Sequence, residues 1–270
     1  MIDIDTGTEE LLCYIDDRVA VITLNKPHKK NALGDILTPA LRETLLTVEA
    51  DDRVGCVMIT GAGDAFCSGG DVSGMGASGS SGPKSAQERV DELTLKQKTL
   101  TLRLHELNRV TIAALPGAAA GAGLSIALAC DLRVVSSSAF VTTAFRNIGL
   151  SGDYGSSWFL PRLIGLAKAK ELFYSADRVG AEEGERLGLF NRVFPAETFR
   201  EDAMDYARSI ANGPTAALGR MKKNLNAGMD QDLASSLRQE AEHLIASSGS
   251  DEAREAISAF MEKRRPDFHQ

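Results

Sequence analysis

Two small-residue segments carry the types and spacing that let main chain approach a ligand. The first is Thr60-Gly61-Ala62-Gly63-Asp64-Ala65-Phe66-Cys67-Ser68-Gly69-Gly70-Asp71. It follows a β-prone run, and its glycines permit close backbone approach. The same composition also suits a turn that merely leaves a sheet. The second is Pro116-Gly117-Ala118-Ala119-Ala120-Gly121-Ala122-Gly123-Leu124-Ser125, again after an apolar run and leading into a helix. Small side chains there leave peptide N–H groups bare at a helix N-terminus, where the helix dipole favours developing negative charge. Close helix–strand packing is the alternative use of such residues. Taken together, the two segments sit after neighbouring strands and can each offer an N–H to one carbonyl oxygen, a main-chain oxyanion hole.

Other chemistries lose their signatures. Gly61-Ala62-Gly63-Asp64-Ala65-Phe66 begins like a dinucleotide-binding GxGxxG, but Phe66 stands where a small residue is needed. Asp71 and Val72 then run into more glycine and serine instead of a helix. The phosphate-loop, zincin and nucleophile-elbow motifs are absent from the sequence. His28, His105, His243 and His269 lack metal-ligand spacing, so no metal site is expected. A formal net charge of −7 argues against a general affinity for nucleic acid. Cys13, Cys56, Cys67 and Cys130 show no CxxC spacing and read as reduced, mostly buried thiols. No secretory signal is visible at the N-terminus. The apolar run Thr111 to Cys130 is broken by Pro116 and abuts Asp131, so no membrane span is expected and a cytoplasmic enzyme fits best.

Alternating strand and helix patterns must position these loops. Leu11 to Asp16 and Val19 to Leu24 read as a hairpin about Asp17 and Arg18. Leu33 to Val48 has a helical period, and Val54 to Thr60 a continuous apolar strand. Strand, helix, strand implies a right-handed parallel crossover in an α/β fold. Ser73 to Ser85 is Gly- and Ser-rich and predicts a mobile loop. Arg89 to Leu107 returns to helix, Val110 to Leu115 to strand, and Gly121 to Cys130 to a small-residue helix leading into the strand Leu132 to Val135. After Asn191 to Pro195 only helical stretches remain: 197–211, 215–227, 231–247 and 251–263. The chain thus divides into an α/β core, 1–195, and a helical region, 196–270. Helices of this length must pack on the sheet or on another subunit, so an oligomer is expected.

Several motifs, in order, make the sequence similar to the enoyl-CoA hydratase/isomerase (crotonase) family over nearly its whole length. They are Asn25-Lys26-Pro27 with Asn31-Ala32-Leu33, Phe66-Cys67-Ser68-Gly69-Gly70-Asp71, Gly117 to Gly123 followed by Ala127-Leu128-Ala129-Cys130-Asp131, and Pro161-Arg162. The resemblance implies a crotonase-like spiral of ββα units whose C-terminal helices trimerise, giving a homotrimer or dimer of trimers. It implies an acyl-CoA substrate and no cofactor beyond the CoA it carries. The oxyanion donors map to the N–H groups of Gly70 and Ala122. Many relatives have glycine where Ala122 stands, but a main-chain donor survives that change. The CoA would run along the stretch Lys26 to Ala32 and the loop Ser68 to Val72, including Asp71. Lys26, Lys29 and Lys30 would meet phosphates, or are simply solvated lysines. Phe260, Lys263 and Arg264 resemble an end helix that closes over a neighbour's nucleotide; a solvated helix end is the alternative.

The sequence departs from the hydratase pattern at its acids. Hydratases of the family typically use two glutamates, and the matching positions hold Ser125 and Phe145. The nearest carboxylate is Asp153, in Gly149-Leu150-Ser151-Gly152-Asp153-Tyr154-Gly155, which resembles the place where several isomerases of the family carry their acid. It also suits an Asp turn or N-cap before the helix Ser156 to Leu163. As a base beside an oxyanion hole, Asp153 suffices for double-bond isomerisation and serves hydration less comfortably. Tyr154, Trp158 and Phe145 line the acyl pocket or pack in the core. A CoA-thioester-binding protein without catalysis is the alternative class.

Overall fold

The computed structural model describes residues 1–71 and 84–269. Val72 and nearly all of the Gly/Ser-rich stretch expected to be a mobile loop lie outside the described residues. The chain opens with β1 (Ile2–Ile4), β2 (Leu11–Asp16) and β3 (Val19–Leu24), paired antiparallel. In β2 alternate residues Leu11, Cys13 and Ile15 point into the core. The β2–β3 reversal uses only Asp17 and Arg18, at φ 44° and 64°, the two left-handed residues that a tight hairpin matched to strand twist requires. The sequence reading placed this hairpin correctly and missed β1.

From β3 onward the sheet is parallel. β4 (Cys56–Gly61), β6 (Val110–Leu115), β8 (Leu132–Ser136) and β11 (Arg192–Phe194) complete a seven-stranded order β1-β2-β3-β4-β6-β8-β11. The burial of β4, β6 and β8 on both faces matches continuous apolar sequences such as Cys56-Val57-Met58-Ile59, while β11 is a more exposed edge strand. A second, four-stranded sheet has the order β10-β9-β7-β5, from β5 (Ala65–Cys67), β7 (Ala118–Ala120), β9 (Phe140–Thr142) and β10 (Val179–Gly180). The chain therefore gives one strand to each sheet before each helical segment: β4-β5, β6-β7, β8-β9. That repeat is a ββα spiral.

Among the described residues, the α-helices between strands are α1 (Leu37–Glu49), α2 (Ala86–Gln97), α3 (Arg103–Glu106), α4 (Ala122–Ala129), α5 (Ser156–Ile164), α6 (Leu166–Ser175) and α7 (Ala181–Arg186). A capping box between Ser85 and Glu88 starts α2, and a π-helical turn, Lys98–Leu102, joins it to α3. The helix expected from Leu33 begins instead at Leu37, because Leu33 is drawn into a parallel bridge with Gly70.

Four helices follow: α8 (Phe199–Ala211), α9 (Thr215–Gly228), α10 (Leu233–Ser248) and α11 (Asp251–Glu262). Phe199, Ala203, Ala207 and Ala211 recur every four residues and bury α8 against Val19, Val21, Cys56, Met58 and Ile112 of the large sheet. Alanines allow the close approach; a Cβ on Gly55 would lie 2.2 Å from the Ala211 carbonyl oxygen. By contrast α10 and α11 leave large apolar side chains bare, Ile245 at 72% and Phe260 at 81% exposure. Among the described residues, no helix is long and apolar enough to cross a membrane.

Candidate active site

The residues after Gly61-Ala62-Gly63 form strand β5 and not the helix that a dinucleotide loop needs. β5 pairs in parallel with β7, so the two small-residue segments lie side by side. Their contact is close enough to demand glycine. A Cβ on Gly123 would sit 2.4 Å from the Cys67 carbonyl oxygen, and one on Gly69, itself at φ 98°, would sit 2.9 Å from the Ala120 carbonyl oxygen and 3.5 Å from the Ala122 nitrogen.

The two expected donors have the required freedom. The bridge to Leu33 uses the Gly69 carbonyl, at 2.8 Å, and the Asp71 N–H, at 2.7 Å. In a parallel ladder this leaves the N–H of Gly70 pointing away from Leu33. Ala122 is the first residue of α4, so its N–H precedes the intrahelical bonds. Its φ is not among the left-handed ones, so alanine fits there, while Gly121, at φ 52° and ψ −125°, takes the conformation a side chain would forbid. Every residue of α4 is buried, which keeps water from competing at the helix start.

Asp153 comes within one hydrogen-bonded residue of this helix. Ser125, fully buried one turn into α4, donates its hydroxyl towards the Asp153 carbonyl at 3.0 Å and the Gly121 carbonyl at 3.2 Å. The Asp153 carboxyl oxygen Oδ1 is buried without a hydrogen-bond partner, and burial pushes the carboxyl up from 3.8 to about 6. The residue is not the side-chain N-cap of α5; that position is Gly155, which makes no side-chain cap. The flanking residues Gly152, Tyr154 and Gly155 all have positive φ, at 109°, 50° and 81°. Tyr154 is buried in the main core and accepts a hydrogen bond from Arg42 at 3.3 Å; burial raises its phenol pKa and Arg42 opposes the rise. Phe145 is buried, stacks on Phe173 at 6.1 Å, and lies beside both Gly121 and Gly152. Trp158 lies further along α5, under the Arg162 guanidinium and edge-on to His105.

The segments expected to hold CoA are also joined. The Ser68 N–H donates to Lys30 and the Ser68 hydroxyl to the Lys29 carbonyl, while Ala32 is buried between them and the core. Lys29 pairs with Asp71 at 2.8 Å; Lys26, itself buried, lies 3.8 Å from Asp71 and 3.5 Å from Glu10; Lys30 pairs with Asp64 at 3.2 Å. Lys26 is thus buried, whereas Lys29 and Lys30 are exposed. The sequence showed the residue that organises this corner only as part of a family motif, with no role of its own. Asn31, fully buried at φ 56°, donates to the carbonyls of Ala62 and Ala65 and accepts from the Lys26 N–H. Asparagine's tolerance of left-handed backbone was the available signal.

The cysteines are all buried and unpaired; burial raises the thiols of Cys13, Cys67 and Cys130 to about 12 and that of Cys56 likewise upward, which removes them as nucleophiles. Among the described residues no cluster of His, Cys, Asp or Glu has the makings of a metal site.

The two sheets and their intervening helices form a ββα spiral in which the end of β5 and the start of α4 lie side by side. The enoyl-CoA hydratase/isomerase family model matches residues 15–270, and the chain belongs to that family. It is 34% identical to the 1,2-epoxyphenylacetyl-CoA isomerase of Escherichia coli K12, covering 96% of this chain and 98% of that one. It is equally 34% identical to 4-chlorobenzoyl coenzyme A dehalogenase-1 of an Arthrobacter species, covering 92% and 88%. The solved enoyl-CoA hydratase of Bacillus anthracis superposes with a TM-score of 0.88 at 29% identity, covering 96% of this chain and 98% of that one. The protein is therefore an enzyme of the hydratase/isomerase type.

Proposed function

We propose that this enzyme isomerises the double bond of an enoyl-CoA thioester, with Asp153 as the single acid/base and the N–H groups of Gly70 and Ala122 holding the thioester oxygen. Asp153 takes a proton from the α carbon of a 3-enoyl thioester, and the C–H electrons move through the carbonyl to oxygen, giving a dienolate. Its negative oxygen lies between the two main-chain donors. The carboxylic acid then returns the proton to the γ carbon, the double bond ends at C2, and the carboxylate is regenerated. No water and no cofactor beyond the CoA of the substrate enter the balance. The observation that carries this reading is the buried Asp153 carboxyl with an unpartnered Oδ1, raised to about 6, which is the range of an acid/base shuttling a proton near neutrality.

Hydration is the weaker reading because Ser125 and Phe145 supply no second carboxylate. The CoA would lie along Lys26, Lys29, Ala32, Ser68, Gly70, Asp71 and Val72, with Lys29 released from Asp71 to meet phosphate, and Tyr154 backing the acyl site. The bare apolar side chains of α10 and α11 would be covered in a homotrimer or dimer of trimers. The test is incubation with a 3-enoyl-CoA in deuterated water, wild type against Asp153→Asn. We expect conversion to the 2-enoyl isomer, with the transferred proton retained except where the Asp153 acid exchanges with solvent before returning it, and loss of conversion in the variant. Full-rate isomerisation by Asp153→Asn would remove Asp153 as the base.

A further inference from the structure

Resting on the reading of Asp153 as the base, we infer that Ser125 is a positioning residue that ties the base to the oxyanion hole and sets the distance between them. Asp153 sits in a loop flanked by positive φ at Gly152, Tyr154 and Gly155, of which only Tyr154 is not glycine. Besides the buried, Arg42-bonded side chain of Tyr154, its carbonyl oxygen anchors it. That oxygen accepts from the Ser156 N–H at 3.2 Å and the Ser156 hydroxyl at 3.1 Å, both at the start of α5 that the loop leads into, and from the Ser125 hydroxyl at 3.0 Å. Only the last reaches across to α4. Ser125 stands three residues from Ala122 on that helix, and its hydroxyl also lies 3.2 Å from the carbonyl of Gly121, whose C–N bond leads directly to the Ala122 donor. One buried hydroxyl therefore touches the peptide that carries the base and the peptide that carries the oxyanion donor.

The geometry gives this tether a catalytic consequence. The substrate's oxygen is located by Ala122 N–H, and the carbon that loses its proton lies at a fixed bond distance from that oxygen. A shift of about 1 Å in the base relative to the donor costs on the order of 100-fold in rate. Ser125 is fully buried, so water cannot replace its hydroxyl. Ser156 supplies a matched control, because its hydroxyl meets the same acceptor without linking the loop to α4.

The experiment measures kcat and KM for the 3-enoyl-CoA, and thermal stability, in Ser125→Ala, Ser125→Cys and Ser156→Ala, and repeats Ser125→Ala in the Asp153→Asn background. Cysteine fills the volume of serine with a weak donor, so it removes the tether without a cavity. We expect kcat to fall 10- to 100-fold in Ser125→Ala and Ser125→Cys, KM to stay within about twofold, and Ser156→Ala to lose less than fivefold. In the Asp153→Asn background the Ser125 substitution should have no further effect. If Asp153→Asn is inactive but both Ser125 variants keep the wild-type kcat, the tether is wrong and the base stands. The tether also falls if KM and kcat change in proportion, or if Ser156→Ala is as damaging as Ser125→Cys. If Asp153→Asn is active, the base reading fails and the tether with it.

Discussion

Replacing Asp153 by Asn should stabilise the protein while ending turnover. The carboxyl rises from 3.8 to about 6 through burial alone, so the folded state holds the ionised form at a cost. A shift of about two pKa units corresponds to about 3 kcal/mol at most. Because the group is only partly buried, solvent screening reduces this to about 1–2 kcal/mol. The sign follows from linkage: the raised pKa belongs to the folded state, so stability from this site is fully present below about pH 4 and is lost as pH rises through about 6. Asparagine is neutral throughout and loses no hydrogen bond at Oδ1, which has none. The stabilisation by Asp153→Asn should therefore be small near pH 4, grow between pH 4 and 7, and be constant above. Urea unfolding of both proteins at a series of pH values and one protomer concentration measures it. A variant no more stable than wild type at pH 8, or a gain already complete at pH 4, would refute the claim that burial strains this carboxylate.

With Asp153 as the proposed base, the same titration should govern rate. The kcat/KM of the wild type should rise about tenfold per pH unit up to about pH 6 and then level, as the base ionises; a flat profile from pH 5 to 8 counts against Asp153 as base. Asn31→Ala removes three hydrogen bonds, two of them buried, at a left-handed residue and should cost about 3–4 kcal/mol, read as a lowered urea midpoint; a loss under about 1 kcal/mol would show the corner is held otherwise. Gly123→Ala drives a methyl to 2.4 Å from the Cys67 carbonyl and should cost about 1–3 kcal/mol, with a fall in kcat as β5 and α4 separate; unchanged kcat in a destabilised variant would mean the Gly70 and Ala122 donors do not depend on this contact.

The parts of the fold that were legible in the sequence are those set by local pattern. The β2–β3 hairpin, β4, β6 and α1 follow from apolar periodicity and from Asp17-Arg18 at the turn. The second sheet was not legible from pattern: β5, β7 and β9 are three residues each, too short to show a period, and Ala118–Ala120 reads as a helix former. Only the family resemblance supplied the spiral. At the site, the two Gly-rich loops announced close backbone approach, and the 2.4 Å and 2.9 Å clearances at Gly123 and Gly69 are the physical reason glycine stands there. Ser125 shows the limit from the other side. In sequence it registers as the loss of a carboxylate, because the acceptor of its hydroxyl lies 28 residues away and is a main-chain carbonyl that has no identity of its own. On the proposed reading, the serine that stands where a second acid would be also anchors the first, so one residue would both narrow the chemistry and position it.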